Sequence, residues 1–294
     1  MTQTAQLQLI RDSELDTLSA IFRENPNAKI VKYSPHKRCL LEIEKAGKEY
    51  FVKVYPKKFL KRERGEKIHA IGEKLWQFAE EKRINFSVPK SIGWCSRTRA
   101  IWQEKFDGEN VSATRGGAKI AFEIGKGVAD ISKLEITPPR FFDRQEQLKD
   151  SREFAEKIER FAPNLKTKIE RFFYLAENAE LPTEKLVPIH GDMHLDQWLF
   201  DGKRLALLDF EDFSLGEVER DLASFIVQLE VEYPHFGESF TDEFIAGFHS
   251  NGMIKDERLM KFYMAHKWLA KAAKDEKEAE SRLDKALQYL ELLG

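Results

Sequence analysis

Short apolar runs with the composition of β-strands dominate the first third of the chain. They occupy residues 30–31, 39–43, 50–55 and 100–104, and the Ala46-Gly47-Lys48 sequence between two of them is typical of a tight turn. Strands joined by such short turns pair in antiparallel fashion. The pattern therefore predicts a small antiparallel sheet in this region.

Beyond residue 108 the apolar positions recur with the 3.6-residue period of helices, and one earlier helix is predicted at residues 61–81. The later helices are predicted at residues 118–134, 153–161, 165–176, 218–231 and 244–248, with a charged pair within 259–293. The sequence therefore predicts an α+β fold of two lobes. Residues 1–107 form a small antiparallel β lobe with one helix, and residues 108–294 form a larger, mainly helical lobe.

A second strand pair interrupts the helical region. Residues 198–208 contain two apolar runs joined by Asp201-Gly202-Lys203, which is a strong hairpin turn signal. Gln197 and Asp209 should then lie side by side at the open end of the hairpin, with Asp192 on irregular backbone beside them. Loops held by rigid strands commonly carry function, so this end is the predicted site.

The residues around this hairpin suit phosphoryl transfer, a reaction in which the protein mainly positions groups and neutralises charge. In the protein-kinase pattern, a loop Asp precedes a metal-binding Asn by five residues, and an Asp-Phe-Gly follows whose Asp also binds metal. Asp192 and Gln197 have that spacing, and Asp209-Phe210 follows twelve residues after Gln197. Carboxylate and amide oxygens are ligands that Mg²⁺ accepts.

At these residues the chain resembles the aminoglycoside phosphotransferase family, relatives of protein kinases whose catalytic loop is His-Gly-Asp-x-His-x-x-Asn. The resemblance covers about residues 31–225 and includes Gly216 and Asp221-Leu222-Ala223. It implies a bilobal, protein-kinase-like fold and ATP with Mg²⁺ as cofactors. It also implies that Asp221 pins the catalytic loop through hydrogen bonds.

By the same resemblance, Asp192 orients the acceptor hydroxyl and takes its proton, while Gln197 and Asp209 hold magnesium. Two positions depart from the expected pattern. Gln197 replaces the usual Asn, and its extra methylene displaces the amide oxygen by roughly 1.5 Å, so the metal geometry would differ or a water would intervene. Glu211 follows Asp209-Phe210 where protein kinases have Gly, which is ordinary among small-molecule kinases.

Lys53 lies in an apolar strand, on the opposite phase from Val52 and Val54. A charge there is costly to bury without a partner, and the kinase pattern supplies the α- and β-phosphates of ATP. An exposed strand lysine is the plain alternative. On the following helix, Glu66 and Glu73 share one stripe, and Glu66 is the selected ionic partner of Lys53.

The sequence from residue 100 to Gly108 looks like the family's hinge, where the Glu104 carbonyl and the Phe106 amide would bind adenine. Backbone groups do this work, so side chains give little specificity. The turn at residues 34–38 contains no glycine where a kinase has a Gly-rich loop. Ser34 and Lys37 are candidates for the phosphate contact, although a polar surface turn is an equally good interpretation.

The 294 residues carry a net charge of −2, so no overall basic field favours nucleic acid as a partner. No apolar run approaches the length of a transmembrane helix and no leader is visible, so a cytoplasmic location without membrane attachment is expected. Cys39 and Cys95 fall in predicted strands and are most simply buried thiols. Nothing in the sequence indicates the oligomeric state.

The sequence therefore predicts an ATP-dependent phosphotransferase that transfers the γ-phosphate to a hydroxyl of a small molecule. One alternative is a nucleotide-binding pseudokinase that acts as a regulatory module, suggested by Gln197 and the glycine-free turn. A metal hydrolase using His190, Asp192 and His194 is disfavoured, because the other histidines are scattered singly. The acceptor is open, although Asp212 and Glu217 would suit a cationic one, unless they are surface charges.

Overall fold

The computed structural model describes residues 17–34, 37–56, 62–112, 117–183, 185–254 and 256–293. The chain divides into two compact units. The first comprises Met1–Gly108 with Leu199–Glu211, and the second comprises Glu109–Trp198 with Asp212–Gly294.

The first unit is built on a five-stranded antiparallel sheet with the order β1-β2-β3-β5-β4. Ala46 and Gly47 both have positive φ, at 54° and 74°, which suits the tight turn between β2 and β3. Alternate residues of these strands face inward, and Val52 and Val54 are fully buried on either side of Lys53. The strands are β1 (Lys29–Ser34), β2 (Arg38–Lys45), β3 (Lys48–Val54), β4 (Ser91–Cys95) and β5 (Ala100–Glu104).

Two helices accompany this sheet, α1 (Leu18–Glu24) and α2 (Arg62–Glu80). Only α2 was predicted, because the seven residues of α1 are too few for helical periodicity to stand out. Leu18 and Phe22 of α1 nevertheless complete the apolar cluster behind the sheet. Cys39 is fully buried in that cluster, whereas Cys95 is only partly buried, and both thiols are free.

The predicted hairpin is present and consists of β8 (Trp198–Phe200) and β9 (Leu205–Leu207). Its turn contains Gly202 at φ 92°, a conformation that favours glycine. Ser87 binds β9 through both of its backbone groups, to the Leu205 carbonyl at 2.7 Å and the Leu207 amide at 3.0 Å. These bonds explain why Leu199–Glu211 belongs to the first unit although it follows the helical segment in sequence.

The second unit is mainly helical and also contains β6 (Glu109–Asn110) and the antiparallel pair β7 (Val187–Ile189) and β10 (Ser214–Gly216). In the described ranges, no helix is both long and apolar enough to cross a membrane. The helices are α3 (Ala118–Ser132), α4 (Arg144–Phe161), α5 (Lys166–Asn178), α6 (Glu219–Glu232), α7 (Gly237–Asn251), α8 (Glu257–Ala272) and α9 (Ala279–Glu291).

Two predicted helices were too short. The first was placed at residues 153–161, but α4 begins at Arg144 because the Asp143 side chain caps it, accepting a hydrogen bond from the Glu146 amide at 3.0 Å. The second was placed at residues 244–248, whereas α7 covers Gly237–Asn251.

The core of the second unit contains a fully buried histidine, His266 on α8. Its Nδ1 lies 2.6 Å from the Ser151 hydroxyl, and its ring forms a T-shaped contact with Phe172 at a centroid distance of 5.1 Å. Burial and, after it, the charge of Lys267 lower the pKa of His266 from 6.5 to about 3. The histidine is therefore neutral in the folded protein at all ordinary pH values.

This burial makes the folded state sensitive to acid. Below pH 6.5 the unfolded chain binds a proton at His266 that the folded chain does not bind until about pH 3, so stability falls as the pH falls through this window. Between pH 6.5 and about pH 3, the contribution of His266 should lower the free energy of unfolding by about 1.4 kcal/mol for each pH unit. Urea titrations at several pH values measure it. The His266→Gln variant should lose this component of the slope, whereas His249→Gln, at an exposed histidine, should keep it.

Candidate functional site

The catalytic loop predicted at residues 190–197 belongs to the second unit and is held from α6. The Asp221 carboxylate accepts hydrogen bonds from the His190 amide at 2.6 Å and the Gly191 amide at 2.9 Å. The loop-pinning role predicted for Asp221 is thus confirmed. Gly191 has φ 87°, and a Cβ there would lie 2.1 Å from the Asp212 carbonyl oxygen, so any other residue would displace the loop.

Asp192 is the accessible acid of this loop, with 53% of its side chain exposed. His194 Nε2 lies 3.4 Å from Asp192 Oδ2, and the Asp192 amide donates to the ring of the buried His190. Burial opposes ionisation, but the hydrogen bond and charge of His194 outweigh it and hold the pKa of Asp192 well below its usual range. The carboxylate is therefore charged and able to accept a hydrogen bond from a hydroxyl group.

Gln197 ends the same loop and is buried, in a 3-10 turn closed by the Gln197 amide and the His194 carbonyl at 3.1 Å. Its side-chain nitrogen lies 3.1 Å from His194 Nε2. Within the described ranges, no side chain or backbone group donates to its amide oxygen. That oxygen is consequently available to a cation.

The neighbouring acid, Asp196, is held by hydrogen bonds to other side chains. Its carboxylate accepts hydrogen bonds from Gln228 Nε2 at 2.8 Å and from the Tyr233 hydroxyl. Gln228 also accepts from the Leu195 amide at 2.7 Å. Sequence reasoning overlooked Gln228 because an amide on a helix carries no signal of such a contact. Asp196 and Gln228 fix the second half of the loop.

The first unit brings two other predicted residues together. Lys53 Nζ lies 3.0 Å from Asp209 Oδ1, and both side chains are nearly buried. Asp209 has a φ of 65°, in the left-handed region that few residues other than glycine, asparagine and aspartate adopt. Such local strain is typical of functional positions. The alternation of side chains along β3 correctly indicated that Lys53 points away from the apolar face that contains Val52 and Val54.

Three residues of this cluster were missed, namely Arg38, Tyr55 and Glu211. Arg38 Nη1 lies 2.9 Å from Asp209 Oδ2 and 2.8 Å from Glu211 Oε1. The Tyr55 hydroxyl donates to Glu211, and Lys53 Nζ lies 3.4 Å from the same carboxylate. One signal existed, since Tyr55 and Lys53 are two apart and point to the same side of an extended chain.

Charge in this cluster is balanced by direct contact. Burial opposes the ionisation of Asp209, but Lys53 and Arg38 hold the pKa of its carboxyl well below the usual range. Burial and then the charge of the adjacent Asp209 raise the pKa of Glu211. Burial, and after it the charges of Glu211 and Asp209, raise the pKa of the Tyr55 phenol well above its usual value. Asp209 is thus the firmly ionised acid of the pair.

The two glutamates of α2 that were candidates for pairing with Lys53 are Glu66 and Glu73. Glu66 is exposed on α2, and Glu73 lies 3.5 Å from His69 Nε2. Among the described residues, Lys53 forms ion pairs with Asp209 and Glu211. The selection of Glu66 as the partner of Lys53 stays a prediction.

The predicted hinge lies at the end of β5. The Glu104 amide donates to the Lys90 carbonyl at 2.9 Å, and the Lys105 amide donates to the Glu49 carbonyl at 3.0 Å. Among the described residues, no backbone carbonyl accepts from the Phe106 amide, which leaves it available. Adenine binding by Glu104 and Phe106 stays a prediction.

The glycine-free turn is only partly described, since residues 35 and 36 lie outside the described ranges. The Lys37 amide donates to the Ser34 carbonyl at 3.1 Å. The cation that this segment contributes to the cluster is Arg38, which sequence reasoning did not select.

Residues 36–288 match the model of a family described as the phosphotransferase enzyme family, APH. The chain belongs to this family. The match contains the catalytic loop at residues 190–197 and all residues of the cluster around Asp209. Both groups of residues therefore belong to the phosphotransferase part of the chain. No curated protein sequence matches the chain significantly.

Solved structures of other phosphotransferases share the fold. A spectinomycin phosphotransferase in complex with ADP and spectinomycin has a TM-score of 0.64 at 15% identity, covering 94% of this chain and 93% of that one. A microcompartment-associated aminopropanol kinase has a TM-score of 0.65 at 14% identity, with 95% and 96% covered. An amicoumacin kinase with AMP-PNP and Ca²⁺ has a TM-score of 0.63 at 12% identity, with 98% and 95% covered. The predicted α+β, protein-kinase-like fold is confirmed.

Proposed function

We propose that this phosphotransferase uses ATP and transfers the γ-phosphate to a hydroxyl group of a small molecule. The observation that carries the proposal is the catalytic loop, in which Asp221 and Gln228 fix the backbone while Asp192 stays accessible and ionised. A rigid loop that presents one free carboxylate suits a reaction in which the protein mainly holds and orients a hydroxyl.

Asp192 accepts a hydrogen bond from the acceptor hydroxyl and takes its proton while the new oxygen–phosphorus bond forms. The bond between the γ-phosphorus and the bridging oxygen breaks, and ADP leaves with that electron pair. Because its pKa is low, Asp192 is a weak base, so its main contribution is to orient the hydroxyl until the proton becomes acidic. The proton then passes to water.

The donor set fits magnesium. Asp209 supplies a carboxylate and Gln197 an amide oxygen, which are the hard ligands that this ion prefers. Among the described residues, no three His, Cys, Asp or Glu side chains converge as a protein-only metal site would require. Asp209 and Gln197 would therefore hold the ion together with phosphate oxygens and water. When bound, it would neutralise negative charge on the phosphates.

Lys53 is proposed to bind the α- and β-phosphates, and the Glu104 carbonyl and Phe106 amide to bind adenine. In the structure Lys53 is held by Asp209 and Glu211, so nucleotide binding would exchange carboxylate partners for phosphate ones. The spectinomycin phosphotransferase and the amicoumacin kinase were solved with ADP and AMP-PNP respectively, which supports a nucleotide site in this chain.

An ATP-consumption screen across hydroxyl-bearing metabolites tests the proposal. Acceptor-dependent ADP formation that requires Mg²⁺ is the expected result. Purified protein that binds ATP but phosphorylates no acceptor and shows no slow ATPase would favour the regulatory pseudokinase instead.

A further inference from the structure

Three residues on one side of α8 face α6 and the residues just before it. Tyr263, Lys267 and Lys271 are each four residues apart and therefore lie on one side of the helix. The Tyr263 hydroxyl donates to Glu217 at 2.8 Å, and Lys271 forms an ion pair with Glu232. Within the described ranges, Lys267 between them has no ion pair and no hydrogen bond.

Lys267 lies beside the helix that holds the catalytic loop. Tyr263 and Lys271, one turn to either side of it, contact Glu217 and Glu232, and the part of α6 between those two acids supplies Asp221 and Gln228 to the loop. The charge of Lys267 helps to lower the pKa of Asp192, and its other electrostatic neighbours include Asp221 and Arg220. Burial and, after it, Arg220 lower the pKa of Lys267 to about 7, against the opposing effect of the two acids. A partly buried ammonium without a contacting acid is costly, and an arriving anion would remove that cost.

The acids near this position are already occupied. Asp212 lies 2.9 Å from Arg140, and Glu217 lies 2.6 Å from Arg144 and accepts from Tyr263. Asp221 is engaged by the two loop amides. The expectation that Asp212 and Glu217 would suit a cationic acceptor therefore loses its basis.

A second cation strengthens the positive character beside Asp192. The Arg220 guanidinium is buried, lies 3.7 Å from the centroid of the Phe142 ring and donates to the Gly191 carbonyl. No described residue accepts a hydrogen bond from its Nε. Arg220 is held by the Gly191 carbonyl and the Phe142 ring, whereas Lys267 is partly exposed and, among the described residues, has no contact of that kind.

We infer that Lys267 binds a negatively charged group of the acceptor, a carboxylate or a phosphate ester, while the acceptor hydroxyl is presented to Asp192. The inference rests on the proposed function and narrows its acceptor to anionic hydroxy compounds.

Two matched sets of compounds separate acceptor charge from acceptor size: glycerate, glycerol and 3-aminopropane-1,2-diol, and gluconate, glucose and glucosamine. Glycerol 3-phosphate and glucose 6-phosphate replace the carboxylate by a phosphate ester. ATP consumption is measured with each compound, together with the rise in unfolding temperature that it causes in the presence of Mg-AMP-PNP. The proteins compared are the wild type, Lys267→Met, Lys267→Arg and, as a matched control on the same helix, Lys261→Met.

Anionic compounds should be consumed in preference to their neutral and amino counterparts. Lys267→Met should raise the KM for them by roughly 10- to 100-fold, the loss expected for a charge-assisted hydrogen bond, with a smaller change in kcat. Lys267→Arg should restore much of the binding, and Lys261→Met should behave as the wild type.

The inference is overturned if a neutral or amino compound matches its acidic counterpart, or if Lys267→Met leaves the KM and the temperature shift for anions unchanged. If no compound is consumed, but anions raise the unfolding temperature of the wild type and not of Lys267→Met, the anion site stands and the proposed transfer fails. If no compound is consumed and the shifts do not depend on Lys267, the anion site fails as well.

Discussion

Replacing Asp192 by alanine should lower kcat by roughly 10²- to 10⁴-fold, the range measured for the loss of a positioned acid–base group. The binding of Mg-ATP should change little, because Asp192 is proposed to contact the acceptor and not the nucleotide. The loop itself should survive the substitution. Its backbone is held by Asp221 and Gln228, and neither contact uses the Asp192 side chain.

Steady-state kinetics and nucleotide titrations on the same protein samples measure both quantities. Asp192→Asn keeps the shape and one hydrogen-bond acceptor but cannot take the proton, so it should retain more activity than Asp192→Ala while staying well below the wild type. Asp242→Ala, at an exposed acid on α7, controls for the loss of a surface charge. Near-normal turnover in Asp192→Ala would remove Asp192 from the proposed chemistry.

Local turn chemistry made the hairpin β8–β9 predictable. Asp201-Gly202-Lys203 specifies a tight turn whatever surrounds it, and the Asp201 carboxylate indeed accepts from the Lys203 and Arg204 amides at 2.8 and 2.7 Å. The phase of Lys53 was equally local, because alternation along one strand decides which side chains leave the apolar face. Features of this kind depend on neighbours in sequence and can be inferred from them.

The cluster around Asp209 could not be inferred in the same way. Arg38 and Glu211 are 173 residues apart, so their contact depends on where β2 and the hairpin meet in the folded unit. Glu211 was noted only as a departure from the protein-kinase glycine. Its burial against Lys53 and Tyr55 is a property of packing.

Lys267 illustrates the same limit within a helix. The pattern of residues 259–293 predicted charged helices, and every lysine in them could have been a solvated surface charge. Only the packing of α8 beside α6 distinguishes Lys271, which pairs with Glu232, from Lys267, which has no acidic partner in the part of the chain that the structure describes.

Replacing Asp209 should have the second large effect. We expect Asp209→Asn to lower kcat/KM with Mg-ATP by at least roughly 100-fold, because the proposed charged metal ligand is lost. Asparagine tolerates the left-handed conformation at φ 65°, so the backbone should keep its course. Asp209→Ala should weaken Mg-ATP binding at least as much, but alanine adds backbone strain, which makes asparagine the cleaner test.

The dependence of activity on Mg²⁺ concentration is the decisive measurement, since loss of a ligand should shift it to higher concentration. Glu211→Gln removes a carboxylate from the same cluster and shows whether the effect belongs to Asp209 alone. A second readout does not require turnover. The charge of Asp209 raises the pKa of Glu211, so Asp209→Asn should lower that pKa in an NMR titration. An unchanged magnesium dependence together with a lowered Glu211 pKa would show that the charge was removed and that Asp209 is not the metal ligand.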